Sequence, residues 1–533
     1  MKKIKFLAIN VALLLSAAVF TTSCSKKPDF ASLIPADAWV VADYNLEEIA
    51  TKGDFKHFND LSFVKLIRQE LRSDGDPQST AIDNIFDDPS QTGLDIRGDM
   101  VIYAHDADNI GVIMAMDNMS KFEKFVHQLA DDDLEIEKTA SGMRIVRTGM
   151  SGLSVAWDKE KVLLCASQNG DIEALMNLPK EQSLASNDDF ARFWKERRDA
   201  NIWFSMHEIF EMAESFGGSD AINELDTFRK DLENATVHML GSFEKGVIRN
   251  KFITNGIDPD SDIMKMMQQK FDAKLLAFMP EKSFAAMAMT LEMRYFVATM
   301  ERMGLMHDAL NEEIGEGVTV ADLLTAAGGN LMASLYDFGQ SSDGNIMPLF
   351  AAAISLNDPA KMSQMLDKLN LEKQNGCWSL PSVPLYFGIK DDVLFATDDA
   401  QAAASMMQQG YANGMKDFRR EMEKGNFFFA DLDIDHYPAS VSGLLPADLR
   451  GLLGQFLDHM EYTSTSATEG EYCIYLKDKR QNSLAALFHF VDDNLSALSN
   501  LADAVADGLG NTDGDYDEAE YYPEEDLDYF DED

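Results

Sequence analysis

The sequence predicts an α+β fold: a tandem duplication of a mainly antiparallel sheet-and-helix unit, followed by a disordered acidic C-terminal tail. Three observations predict it. Apolar strand-like runs come in adjacent pairs separated by helical stripes. The same landmarks recur in the same order in the two halves of the chain. The last stretch, from Asp513 to Asp533, carries acidic charge without a single basic residue.

Each unit opens with a proline turn that feeds a buried strand. Leu33-Ile34-Pro35, Ala38-Trp39-Val40-Val41 and Leu46-Glu47 are echoed by Phe278-Met279-Pro280, Ser283-Phe284-Ala285-Ala286 and Leu291-Glu292. Gly98 then opens Met100 to Tyr103, as Gly329 opens Leu331 to Ser334. A second strand follows, and after it a helix. Phe122, Phe125, Val126 and Leu129 in the first half, and Met362, Met365, Leu366 and Leu369 in the second, keep the i, i+3, i+4, i+7 spacing of one buried stripe. Asp358-Pro359 supplies an N-cap and first turn.

A hairpin comes next. Leu153 to Trp157 and Val162 to Cys165 match Leu385 to Ile389 and Val393 to Ala396, which sets Cys165 opposite Ala396. Asn201-Ile202-Trp203-Phe204 then matches Asn426-Phe427-Phe428-Phe429, and closing strands lie near 237–254 and 472–490. The resulting organisation is a leader over 1–23, a first repeat over 24–257, a junction over 258–272, a second repeat over 273–496 and a C-terminal segment over 497–533.

The leader has three parts. Met1 to Lys5 is basic, Phe6 to Phe20 is apolar apart from Asn10 and Ser16, and Thr21-Thr22-Ser23-Cys24 follows. Its apolar run falls short of the roughly twenty residues a membrane-spanning helix needs. Ser23-Cys24 at this place resembles the lipobox of bacterial lipoproteins, which implies cleavage before Cys24 and lipid on its sulfur. Two or three acyl chains, at roughly 0.8 kcal/mol per buried methylene, make a stable anchor.

The formal net charge is −45 with 46% hydrophobic residues, so the chain can bury large cores while its surface repels polyanions. Nucleic acid and anionic headgroups are poor partners for that surface, since both are bound largely through clustered Lys and Arg. Basic proteins and divalent cations remain compatible. Beyond Cys24, the cysteines Cys165, Cys377 and Cys473 have no metal-site spacing and read as small buried residues, with room for one disulfide.

No nucleophile elbow, zincin, Walker or dinucleotide fingerprint occurs. Ser62-Phe63-Val64-Lys65 fits S-x-x-K but sits in an ordinary amphipathic helix. His207 is expected in an apolar strand opposite Leu432. Asp431-Leu432-Asp433-Ile434-Asp435, ending at His436, reads by alternation as a strand with Asp431, Asp433 and Asp435 on one face. That face is either solvated or a hard-cation site for Ca²⁺, which wants several converging carboxylate oxygens. No other cofactor is expected. The thirty methionines, among them Met264, Met266, Met267, Met287 and Met289, fall mostly on core stripes, so gap-filling outweighs Cu(I) binding. In the tail, Tyr516, Tyr521, Tyr522, Tyr529 and Phe530 are interleaved with acids. This composition solubilises, or docks on a basic partner.

The Ser23-Cys24 site, the stretch Ile34-Pro35-Ala36-Asp37-Ala38-Trp39-Val40-Val41, the length and the paired halves together resemble a family of uncharacterised lipoproteins from Bacteroidota. The resemblance implies the envelope and the paired architecture, and it transfers no catalytic residue. Ser25-Lys26-Lys27 after the lipidated cysteine favours the periplasmic side of the outer membrane over the cell surface. The expected function is an envelope-anchored, non-catalytic binding or interaction module, its partner an envelope protein or a small ligand held in the groove between the halves. Two other readings stay open: a periplasmic hydrolase whose site is assembled from distant residues, and a calcium-dependent adhesin or glycan binder.

Overall fold

The computed structural model describes residues 29–498, apart from 106–108, 130–134, 148–151, 167–170, 216–228, 268–269, 303–306, 316, 341–343, 345, 370, 381–382, 417, 423, 444–446 and 465. The first copy contributes β1 (Val40–Asn45), β2 (Asp99–Ala104), β3 (Ile110–Ala115), β4 (Glu137–Lys138), β5 (Arg144–Arg147), β6 (Leu153–Trp157), β7 (Lys161–Ala166), β8 (Ala200–Ser205), β9 (Thr236–Glu244) and β10 (Val247–Asn255). The second opens with β11 (Ala285–Thr290) and a separate small hairpin, β12 (Glu313–Gly315) and β13 (Val318–Thr319). It continues with β14 (Ala327–Gln340), β15 (Ile346–Leu356), β16 (Glu372–Gln374), β17 (Cys377–Ser379), β18 (Tyr386–Lys390), β19 (Val393–Thr397), β20 (Phe427–Asp431), β21 (Leu457–Ser464) and β22 (Glu469–Leu476).

All but β12 and β13 join one antiparallel sheet. From one edge inward the first copy runs β4-β5-β6-β7-β3-β2-β1-β8-β9-β10. From the other edge inward the second runs β16-β17-β18-β19-β15-β14-β11-β20-β21-β22. Position for position the order is the same, so the duplication is visible in the topology. The innermost strands, β10 and β22, pair from Val247↔Tyr475 to Ile253↔Glu469, as the halves of a two-fold dimer would. The outermost, β4 and β16, are short and carry exposed charged or polar residues, which blunts the edges against further pairing.

Turn geometry corrects the register expected between the copies. Asp158 N–H donates to the Lys161 carbonyl, closing the turn at Lys159-Glu160. Lys390 pairs with Val393 around Asp391-Asp392, where φ is 51° and 61°. Matching the turns sets the fully buried Leu163 against the fully buried Phe395 and Cys165 against Thr397, not Ala396. A one-residue slip would have moved the whole strand to the wrong face.

Apolar layers cover the sheet on both sides. On one face the first copy buries Val41, Val101, Leu163 and Trp203 under the helix Asp188–Glu196, and the second buries Ala286, Met332, Phe395 and Phe429 under the helix Ala400–Gln408. On the other face the first copy packs Met100, Met114, Trp157 and Val162 beneath Ser62–Asp74, Pro77–Asp87 and Met119–Leu129. The second copy has a smaller cluster there, centred on Met362, Met365, Leu366 and Trp378.

Each copy also lends a helix to the other. Ser483–Asp493 follows β22 but lies on the first copy, where Leu484 joins the core and the Phe488 ring sits 5.8 and 5.4 Å from those of Phe55 and Phe58. Asp492 accepts from the backbone N–H groups of Ser62 and Phe63, so Ser62 starts a capped helix. A Cβ at Gly53 would meet the Phe55 and Phe488 rings at 2.6 and 2.8 Å, which is why this close approach needs glycine. Reciprocally, Asp262–Met266 follows β10 and packs on Met293–Arg302 of the second copy, with Asp262 2.7 Å from Arg302. The prediction is that Phe488→Ala costs about 3–5 kcal/mol in urea denaturation. Removing residues 483–498 should further make the first copy unfold in a separate, earlier transition.

Candidate functional site

The copies differ beneath the helices Val320–Ala326 and Pro359–Lys368. Two sets of hydrogen bonds fix the correspondence. The Gly93 carbonyl accepts from Asp117 and Asn118 as the Ala326 carbonyl accepts from Asn357 and Asp358, and Phe122 N–H reaches Asn118 as Met362 N–H reaches Asp358. Leu94 of the first copy is therefore matched by Ala327, Phe122 by Met362 and, through the hairpin register, Trp157 by Ile389. In the first copy these side chains fill the space, with Phe122 edge-on to the fully buried Trp157 at 5.3 Å. The smaller set leaves a pocket of about 500 Å³ in the second copy.

Its lining is aliphatic and aromatic throughout. Leu323, Leu324 and Ala327 form one wall, Met362, Leu366 and Leu369 another, and Ile354, Phe387 and Leu394 the sheet floor. Ile314 and Leu380, each more than a third exposed, stand at the mouth. Such a volume falls within the roughly 300–1,000 Å³ of small-molecule sites. Without polar side chains in the wall, the pocket offers a ligand only shape and apolar surface.

The residues singled out from the sequence lie elsewhere. Cys24 and the tail aromatics Tyr516, Tyr521, Tyr522, Tyr529 and Phe530 are outside the described residues. Alternation failed at Asp431, because β20 ends there and a short 3-10 turn, Ile434–His436, follows. The Asp-x-Asp spacing serves the backbone: Asp431 accepts from Asp433 N–H at 2.8 Å, and Asp433 from Asp435 N–H at 3.1 Å. Basic side chains already hold two of these carboxylates. Asp431 lies 2.7 Å from His436 Nδ1, and Asp433 2.6 Å from Lys477 Nζ. The hydrogen bond to Asp431 raises the His436 pKa. Among the described residues no group of three or more Asp, Glu, His or Cys side chains is arranged to hold a metal ion.

His207 is likewise not on a strand. β8 stops at Ser205, and His207 lies in the first turn of the helix Met206–Ser215, 3.6 Å from Glu233. Lys65 Nζ donates to the Asp60 carbonyl, and the Ser62 hydroxyl donates to Asp492. Cys165, Cys377 and Cys473 are buried thiols, and none of the three is in a disulfide. Met287 and Met289 lie half-buried on one face of β11.

A cavity of about 450 Å³ lies along the β10–β22 seam, lined by Arg249 and Lys251 of the first copy and by residues of the second that include Glu461, Glu469 and Glu471. Its lining is ionic: Arg249 bridges Glu244 and Glu471, and Lys251 meets Glu469 at 3.2 Å. Reasoning from sequence missed the apolar pocket. Two of the large-to-small replacements, Phe122 to Met362 and Trp157 to Ile389, stand between positions the sequence aligns, whereas Leu94 to Ala327 is set only by the hydrogen bonds to Gly93 and Ala326.

A family model described as a domain of unknown function, DUF4836, matches residues 30–484. The chain belongs to the DUF4836 family. Among curated proteins none matches it. Solved structures titled as crystal forms IV and III of TP0453 are similar at 8% identity, with TM-scores of 0.24 and 0.22. The first match covers 42% of this chain and 79% of that one, the second 72% and 99%. Likeness at that level carries no argument.

This DUF4836 chain also buries a charged cluster beside β1. Arg197 Nη1 lies 2.7 Å from Asp43 and 3.2 Å from Asp99, and Asn201 donates to Asp43 at 3.0 Å. None of the three cavities described is lined by it. Burial, followed by the charge of Asp99, pushes the Asp43 carboxyl up to about 6 against the pull of Arg197. The unfolded group ionises near 3.8. Between these values the folded state keeps a proton that the unfolded state loses, so stability from this group falls as pH rises through the window. Thermal melts should therefore show Asp43→Asn gaining on wild type between about pH 4 and pH 6, with no further change above it.

Proposed function

We propose that this chain is an envelope lipoprotein, anchored through lipid on Cys24, whose second copy binds the acyl chain of a lipid or fatty acid. The observation that carries the ligand reading is the pocket, hollow and apolar in one copy where the other is filled by Leu94, Phe122 and Trp157. An acyl chain suits it because nothing in the wall would pair with polar groups on a ligand, and an unpaired polar group there costs free energy. Eight buried methylenes at about 0.8 kcal/mol each contribute on the order of 6 kcal/mol, before the cost of ordering the ligand. That supports binding in the micromolar to millimolar range. The polar headgroup would stay at the mouth.

The leader supports the anchor, and no helix among the described residues is long and apolar enough to cross a membrane. On this reading the protein faces the periplasm from the outer membrane and acts by binding, without turnover. Replacing Cys24 by Ala should abolish palmitate labelling and move the protein from the membrane fraction to the soluble one. An unlabelled wild type would refute the anchor.

The ligand reading is tested with cis-parinaric acid, a fluorescent fatty acid, on the mature chain. Saturable binding is expected, and Met362→Phe, which restores the residue of the first copy, should weaken it about tenfold while the melting temperature holds or rises. Absence of binding, or affinity unchanged in the variant, overturns it.

A further inference from the structure

The β14–β15 hairpin is longer than its counterpart. In the first copy residues 105–109 connect the paired Ala104 and Ile110, whereas residues 336–349 connect the paired Leu335 and Phe350 in the second. The extension carries Phe338 onto Phe284, the rings stacked at 4.7 Å and 9°. Tyr437, just after the turn that displaced the expected acidic strand, stands edge-on to both rings at 5.5 and 5.9 Å. Its hydroxyl donates to the Asp431 carbonyl at 2.7 Å, which fixes the ring.

These half-buried rings line a shallow depression of about 440 Å³ together with Lys282, Asp337 and His436. Three aromatic rings packed against one another offer an apolar surface at little entropic cost. Around them stand an ammonium, an imidazole and a carboxylate able to donate to and accept from hydroxyls. A purely apolar ligand would leave that charged rim desolvated and unpaired. An anionic ligand would meet Asp337 and the carboxylates behind His436. The remaining chemistry is a neutral ring with one apolar face and hydroxyls at its edge. We infer that this depression is a saccharide subsite, in which a neutral pyranose packs on the Phe284, Phe338 and Tyr437 cluster while His436 and Asp337 bind its hydroxyls.

The site is independent of the acyl pocket, since Ala327 and Phe338 are separated along β14 by on the order of 30 Å. Its test is saturation-transfer NMR and calorimetry on the mature chain with neutral β-1,4-, α-1,4- and β-1,3-linked glucose hexaoses and mannohexaose, and with hexagalacturonic acid as the anionic comparator. At least one neutral hexaose should bind with a Kd below roughly 10 mM. Phe338→Ala should weaken that binding about tenfold, and Phe338→Leu, which keeps apolar bulk and therefore the fold, should do the same. Met362→Phe should leave it unchanged. Failure of every neutral hexaose, preference for the anionic one, or full affinity in Phe338→Leu overturns the proposal.

Discussion

The pairing of β10 with β22 is the contact on which the architecture depends. Each is the last strand of its copy and each would otherwise be a long unprotected edge. Joined antiparallel, they turn two duplicated sheets into one and leave only β4 and β16 outside. The seam is ionic where the flanking layers are apolar: Arg249 and Lys251 from one copy meet Glu471 and Glu469 from the other. Charges in this arrangement set register more than they add stability, because partly exposed pairs contribute little.

Within this pseudo-symmetric frame the copies have diverged in one direction. The first has large side chains, longer covering helices and a closed lower layer. The second has smaller side chains at equivalent places and a longer hairpin. Both candidate ligand sites lie in the second copy, and both come from departures from the repeat: one from residues that shrank, the other from a hairpin that grew. A duplicated fold allows this, since one copy can hold the structure while the other relaxes its packing.

The paired halves and helix stripes were legible because periodicity survives without contact information. Phe122 and Met362 occupy the same phase of the same stripe, and the hydrogen bonds at Asn118 and Asp358 show it. Register was less legible. Alternation fixes which residues share a face but not which face, and only the turns at Lys159-Glu160 and Asp391-Asp392 place Cys165 against Thr397. Strand ends were misread at Asp431, where carboxylates bonding to N–H groups two residues ahead imitate the period of a strand. The pocket was hidden for another reason: it is a missing volume, bordered by Ala327 and Met362 where the first copy has Leu94 and Phe122, and no single position announces it.

The exchanged C-terminal helix sets an order of events for a chain delivered N-terminus first. Asp492 caps a helix that begins at Ser62, contacts separated in sequence by 430 residues. The first copy is the better filled of the two, yet its lower layer cannot close until the helix Ser483–Asp493 has arrived. Contacts of such separation form late and slowly. Until then Phe55 and Phe58 lack the Phe488 ring, and the copy that comes first along the chain is completed only by the end of the second.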